Sequence, residues 1–208
     1  MRRFLSGIIL AAGASKRIGA PKQLLPLAGR PLLQHVVDAA VQSRLDEIIL
    51  VLGDAAAEIE AALSLPAGRH IRVVVNPDAG LGQATSLGVG LRAADAGAVG
   101  AGILLGDEPQ VSPVLIDRLA SAFESATVPV VRPVYTGADG RRLPGHPTFL
   151  ARRIWPELKR LCGDQGARAL LATHPDWVLE VEMEGERPAD IDTWEDYRRI
   201  AEAGAGEG

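Results

Sequence analysis

Apolar residues gather in four short runs along the chain, at 7–11, 47–53, 71–76 and 102–106. Each run is β-branched or leucine-rich and is closed by a turn residue. Continuous apolar runs of this length predict strands buried on both faces, hence a parallel sheet. Between them the spacing becomes helical. Residues 31–41 put Leu32, Leu33, Val36, Val37 and Ala40 on one face, with Gln34, His35 and Asp38 opposite. Pro31 suits the first turn of that helix, where a missing N–H costs nothing. Residues 55–63 repeat the theme more weakly, and 84–96 align Leu87, Leu91 and Ala94. Ser112 followed by Pro113 predicts an N-cap and first turn for a helix carrying Leu115, Ile116, Leu119 and Phe123.

Strand then helix, repeated, predicts an α/β fold with right-handed crossovers. A fifth strand is expected over 128–135. The regularity then breaks. Residues 136–147 hold Asp-Gly, two arginines, Pro-Gly and His-Pro, which reads as a hairpin or a functional loop. Helices are expected over 155–161 and 164–173, and an edge strand over 177–183. Thr193-x-x-Asp196 opens the last helix with a pattern like a capping box. The Gly/Ala-rich stretch 203–208 reads as a frayed tail, leaving one domain over 1–202.

Composition narrows the function. The 208 residues suit one core, and 47% hydrophobic with 23% charged residues is an ordinary globular balance. A net charge of −4 argues against a dedicated nucleic-acid binder, yet a few local cations suffice for small anions. A single cysteine, Cys162, rules out a disulfide or a multi-thiolate metal site within one chain. It reads as a partly buried hydrophobe near a helix end. No run is long enough to span a bilayer, and the start of the chain lacks a signal-peptide pattern. A cytoplasmic protein with no membrane and no nucleic-acid partner is expected.

The chemistry concentrates after the first strand. Ala11-Ala12-Gly13-Ala14-Ser15 brings small residues whose backbone can approach a ligand closely, and Arg17 and Lys22 place two cations beside it. The spacing matches neither the P-loop, because Lys22 is followed by Gln23, nor the dinucleotide fingerprint. One G-x-G-x-x-A match, at Gly88, Gly90 and Ala93, falls inside a helical pattern and reads as packing. The loop is therefore either an anion cradle or a plain strand-to-helix turn. Leu104-Leu105-Gly106-Asp107-x-Pro109 puts a carboxylate at the end of another strand. Asp107 is either a magnesium ligand at the same sheet edge or a turn aspartate. Gly80 to Leu87 leads into a helix whose start either reads a polar base edge or is simply capped by Thr85 or Ser86.

A longer pattern weighs on these readings. Leu10-Ala-Ala-Gly-x-Ser-x-Arg-x-Gly-x-x-Lys22, followed by Leu24-Leu25-Pro26-Leu27-x-Gly29-x-Pro31-Leu32, resembles the signature of the nucleotidyltransferase superfamily. That superfamily includes the sugar-phosphate and the molybdenum-cofactor nucleotidyltransferases. The resemblance implies a three-layer Rossmann-like fold with a mostly parallel sheet. It implies catalytic roles for Arg17, Lys22 and Asp107, and nucleotide contacts from Leu10, Ala11, Ala12, Gly13, Ser15, Gly82, Gln83 and Ser86. Asp190-Ile191-Asp192-Thr193 with Glu195-Asp196-Tyr197 is similar to the family's C-terminal motif. It implies Asp192 as second ligand, with Asp107, for Mg²⁺, against the rival that Asp190 or Asp192 only organises the last helix.

Pro144-Gly145-His146-Pro147, and Gly163-Asp164-x-Gly166-Ala167-Arg168-x-Leu170-Leu171, are similar to the cytidylyltransferase branch acting on molybdopterin. His146 then contacts the acceptor or only shapes the loop. Arg168 binds the pterin phosphate or is a surface arginine. A methyl at Ala12 narrows the base pocket toward a pyrimidine, so CTP is favoured over GTP. A molybdoenzyme or its chaperone is the implied protein partner. The rivals are guanylyl or sugar-phosphate transfer, and a silent molybdopterin carrier. Trp155, Trp177 and Trp194 fall near element starts, as core or rim packing.

Overall fold

The computed structural model describes residues 3–15, 17–68, 70–161, 163 and 167–205. In chain order it forms β1 (Leu5–Ala11), a small ribbon of β2 (Pro26–Leu27) and β3 (Arg30–Pro31), and α1 (Leu32–Gln42). Then come β4 (Glu47–Leu52), α2 (Ala56–Ala62), β5 (Ile71–Val75), α3 (Gln83–Ala93), β6 (Gly100–Leu105) and α4 (Pro113–Ser125). The second half holds β7 (Val130–Thr136), β8 (Arg142–Pro144), β9 (Thr148–Ala151), α5 (Trp155–Leu158), α6 (Arg168–Thr173), β10 (Val178–Met183) and α7 (Trp194–Ala205).

Eight strands make one sheet, in the order β10-β7-β9-β6-β1-β4-β5, with β8 paired to β7 off that path. β6, β1, β4 and β5 run parallel, as does β10 with β7. β9 is antiparallel to both of its neighbours, so the sheet is mixed but mostly parallel. Alternation along β1 feeds both faces. Ile9 packs with α1 and α4, while Ile8 packs with Leu87 and Leu91 of α3. Two apolar layers on one sheet give the three-layer α/β architecture.

Local signals account for most element starts. Ser112 accepts a hydrogen bond from the Leu115 amide at 3.2 Å, with Pro113 in the first turn of α4. Thr193 and Asp196 bond reciprocally, with the Thr193 amide 3.0 Å from Asp196 Oδ2 and the Asp196 amide 3.2 Å from Thr193 Oγ1. The G-x-G-x-x-A stretch lies within α3. A Cβ on Gly90 would sit 2.4 Å from Ile8 Cγ2, so the glycine lets α3 approach β1.

Several expectations need correction. Pro31 ends β3 and precedes α1 instead of lying in its first turn; the Leu32 amide bonds back to the Leu25 carbonyl at 2.8 Å, closing the ribbon onto the helix. The stretch 155–161 holds only the short α5, entered through a 3₁₀ turn over Arg152–Ile154. α6 begins at Arg168; residues 164–166, and Cys162, lie outside the described residues. α7 continues to Ala205, into the Gly/Ala-rich end. The stretch 136–147 contains the β7–β8 hairpin. Among the described residues no helix is long and apolar enough to cross a membrane. Trp155 is buried and donates to the Leu150 carbonyl, Trp177 stacks on His174, and Trp194 donates to the Ile18 carbonyl.

Candidate functional site

β1 and β6 are parallel neighbours, with Leu10 in register with Leu105. Their carboxyl ends therefore release two segments at one edge of the sheet: the loop that begins at Ala12 and the turn that carries Asp107. Open α/β sheets take their ligands in this crevice.

The loop is held from several sides. Ser15 adopts a positive φ of 49°, and its carbonyl accepts from the amides of Ile18 and Gly19. Its hydroxyl accepts from the Lys22 amide at 3.1 Å. Buried Gln23 donates from Nε2 to the carbonyls of Ala11 at 2.8 Å and Gly13 at 3.2 Å. Gly53, just after β4, lies so close that a Cβ there would stand 2.6 Å from the Ala12 carbonyl oxygen.

Lys22 ties the two ends of the molecule together. Its Nζ donates to Asp107 Oδ2 and to Asp192 Oδ1, each at 2.7 Å. Burial pushes the Lys22 ammonium down, but the charges and hydrogen bonds of Asp107 and then Asp192 outweigh it, and the net direction is up. Lys22 is therefore a fixed cation. Asp192 arrives on the segment before α7, which the Ile191 amide fastens to the Asp107 carbonyl at 3.0 Å. The helix start itself is organised by Thr193 and Asp196, while Asp190 pairs with Arg187 at 3.2 Å. The cap therefore does not occupy the Asp192 carboxylate.

Two cavities open beside this cluster. A smaller one of about 340 Å³ is lined by Leu10 to Ala14, Lys22, Gly82, Gln83, Ser86 and Asp107. A larger one of about 560 Å³ shares Leu10, Gln83 and Leu105 with it, and adds Arg132, His146, Thr148 and Arg168 over a floor of Leu87, Ile103, Leu150 and Leu171. Volumes of this order suit small organic ligands.

Most of the site residues expected from sequence meet here. Leu10, Ala11, Ala12, Gly13, Gly82, Gln83 and Ser86 line the smaller cavity, and His146 and Arg168 the larger. Two differ. Ser15 lines neither cavity, because its hydroxyl and carbonyl are turned to the loop's own backbone. Arg17 likewise lines neither, its exposed side chain lying 3.4 Å from Asp192. Neither Thr85 nor Ser86 caps α3. Gly82 precedes the helix, the Ala84 amide bonds to the Gly163 carbonyl, and both hydroxyls receive Nδ2 of buried Asn76 at 2.9 Å.

Sequence reasoning missed Gln23, Asn76, Arg132 and Glu108. Gln23 left a faint signal, an amide set directly before Leu24-Leu25. Glu108 sits beside Asp107 in the chain, as the unread position of the Gly-Asp-x-Pro stretch, while Asn76 and Arg132 are brought to the site by sheet order.

The donor set fits a divalent cation. Asp107 and Asp192 converge on one ammonium, so the anionic oxygens already face a single positive point. Among the described residues no group of three or more metal-ligating side chains forms. Two carboxylates completed by substrate phosphates is the set that magnesium-like cations take.

The family model for the MobA-like NTP transferase domain matches residues 7–178. The chain belongs to the MobA-like NTP transferase family. It is a nucleotidyltransferase of that superfamily. Among its relatives, the purine catabolism protein PucB of Bacillus subtilis is 34% identical, with 96% of this chain and 97% of that one covered. A protein of Paenarthrobacter nicotinovorans named nicotine blue oxidoreductase is 31% identical over 94% of this chain and 96% of its own. The crystal structure of Rv0371c from Mycobacterium tuberculosis in complex with manganese superposes with a TM-score of 0.80 at 35% identity, covering 97% of this chain and all of that one. That neighbouring structure holds manganese.

Proposed function

We propose that this protein transfers CMP from CTP to the phosphate of molybdopterin and releases pyrophosphate. The observation that carries the reading is the Lys22 ammonium bridging Asp107 and Asp192 where the small-residue loop meets the two adjoining cavities. The smaller cavity takes the nucleotide. Its backbone amides and Lys22 receive the phosphates, and Gly82, Gln83 and Ser86 face the base. The larger cavity takes the acceptor, with His146 and Arg168 on its phosphate. An acceptor phosphate oxygen bonds to the α-phosphorus, the bond to the bridging oxygen breaks, and pyrophosphate leaves with the electron pair.

No protein nucleophile is needed, so catalysis is positioning and charge neutralisation. Arg17 and Lys22 stabilise charge on the α-phosphoryl group and the leaving pyrophosphate. Asp107 and Asp192 would hold Mg²⁺, which supplies Lewis-acid neutralisation of phosphate charge when bound. A cytoplasmic location and delivery to a molybdoenzyme or its chaperone go with this reading.

The test is a product assay with CTP against GTP, Mg²⁺ and molybdenum-loaded molybdopterin, read by mass. CMP-linked product with pyrophosphate supports the proposal. Product from GTP alone would replace it with guanylyl transfer, and transfer only to a sugar phosphate with another acceptor class. Binding of molybdopterin without pyrophosphate release would make the protein a carrier.

A further inference from the structure

Glu108 follows Asp107 out of β6, yet its side chain is only 3% exposed. A carboxylate removed from water needs a partner. His146 supplies one, with Nδ1 3.5 Å from Glu108 Oε1. Tyr135 faces the same carboxylate: burial and then the charge of Glu108 hold its phenol above its usual pKa, with Arg187 acting in the opposite direction. The His146 side chain is 32% exposed, but its Nδ1 is fully shielded from solvent. The edge that His146 presents to the larger cavity is therefore the opposite one, which carries Nε2. At 3.5 Å the contact is longer than a formed hydrogen bond, a spacing common in catalytic pairs before ligand tightens them.

We propose that Glu108 is a positioning residue for His146, its carboxylate accepting from Nδ1–H and thereby keeping the proton on that nitrogen, so that a bare Nε2 faces the acceptor and accepts a hydrogen bond from its attacking oxygen. A carboxylate behind a histidine selects one tautomer in this way. The inference rests on reading the larger cavity as the acceptor site. The acceptor class it fits is a singly protonated phosphate, whose P–OH donates to Nε2 while Arg168, on the same cavity, faces its anionic oxygens; Arg132 there is already paired with Glu180 at 2.6 Å. As the new O–P bond forms and pyrophosphate leaves, that proton passes to Nε2 and is lost to solvent after product release.

Long-range ¹H–¹⁵N spectra of the ¹⁵N-labelled full chain test this without any substrate, with His146 signals assigned through His146→Gln. The expected result is protonated Nδ1 and bare Nε2 in the wild type, moving toward protonated Nε2 in Glu108→Met. Glu108→Gln, which keeps the shape and a hydrogen-bonding oxygen, is expected to fall between. Protonated Nε2 in the wild type, or an unchanged tautomer in both variants, would overturn the proposal. With CTP, Mg²⁺ and molybdopterin, Glu108→Met is expected to raise the acceptor KM roughly tenfold and leave the CTP KM in place. Equal loss for both substrates would overturn it too. If the wild type makes no product from molybdopterin, the proposed function fails, and the ring spectra still decide the role of Glu108.

Discussion

The Lys22 ammonium lies 2.7 Å from the carboxylate of Asp107, across 85 residues of chain. The same ammonium reaches Asp192, 170 residues away. One cation thus bridges two anions, one from the end of β6 and one from the segment before α7, and the trio keeps a net negative charge.

Removing that cation has a signed effect. Lys22→Met leaves Asp107 and Asp192 facing each other, and is expected to cost about 1–3 kcal/mol, because both carboxylates are only partly buried. Adding Mg²⁺ or Mn²⁺ restores thermal stability in this variant more than in the wild type, since a ligand of the native state stabilises by mass action. Thermal unfolding with and without metal checks this. In transfer assays Lys22→Ala and Asp107→Ala each lose about 10²–10³ in rate while staying folded. Near-normal product formation by either would sink the assignment.

The pH dependence follows from the direction of the Lys22 shift. A raised lysine contributes stability that is complete below its ordinary value of 10.5 and is lost as pH rises through the folded value. The stability gap between wild type and Lys22→Met is therefore flat across neutral pH and closes as the pH rises into alkali. Denaturant unfolding at a series of pH values reads it directly. A gap that closes near neutrality would mean that Lys22 is not the fixed cation.

Gln23 pins the loop from beneath, through the carbonyls of Ala11 and Gly13. Gln23→Leu keeps the volume and removes both bonds. It is expected to weaken nucleotide binding about tenfold with little change in acceptor KM. Isothermal titration with CTP and Mg²⁺ gives the comparison, and unchanged affinity would reduce Gln23 to packing.

Ala12 lines the smaller cavity and belongs to the apolar cluster beneath it. Ala12→Gly is expected to shift the CTP-to-GTP ratio of kcat/KM toward GTP by roughly tenfold, the scale of one methyl in a pocket. Competition between the two nucleotides in a single reaction measures the ratio. No shift would move base selection to another part of the site.

The start of α7 depends on Thr193 and Asp196. The Thr193 hydroxyl, against slight burial, and then the amides of Asp192 and Thr193 hold Asp196 below its ordinary 3.8. Its contribution is present above that value and fades as pH falls below it. Thr193→Ala is expected to cost about 1 kcal/mol, a typical cap loss, and to loosen Asp192 beside it. The check is chemical denaturation together with metal affinity. A variant with wild-type values in both would show that the strap before α7 holds Asp192 without the cap.

What could be read in the chain alone was local. Apolar runs marked β1, β4, β5 and β6, and the Ser112 and Thr193/Asp196 patterns marked helix starts, because periodicity and capping act over a few residues. The loop from Leu10 to Lys22 was legible for the same reason, since its small residues and cations are contiguous. β9 was not, because four residues after a loop carry little pattern, and its place between β6 and β7 is set by pairing with distant strands. The Lys22–Asp107–Asp192 cluster, the Gln23 pins and the burial of Glu108 against His146 likewise exist only once strand order and register are in place. Short-range pattern says which face of an element is buried. Only the packed sheet decides which residues from distant parts of the chain share a charge, a hydrogen bond or a cavity.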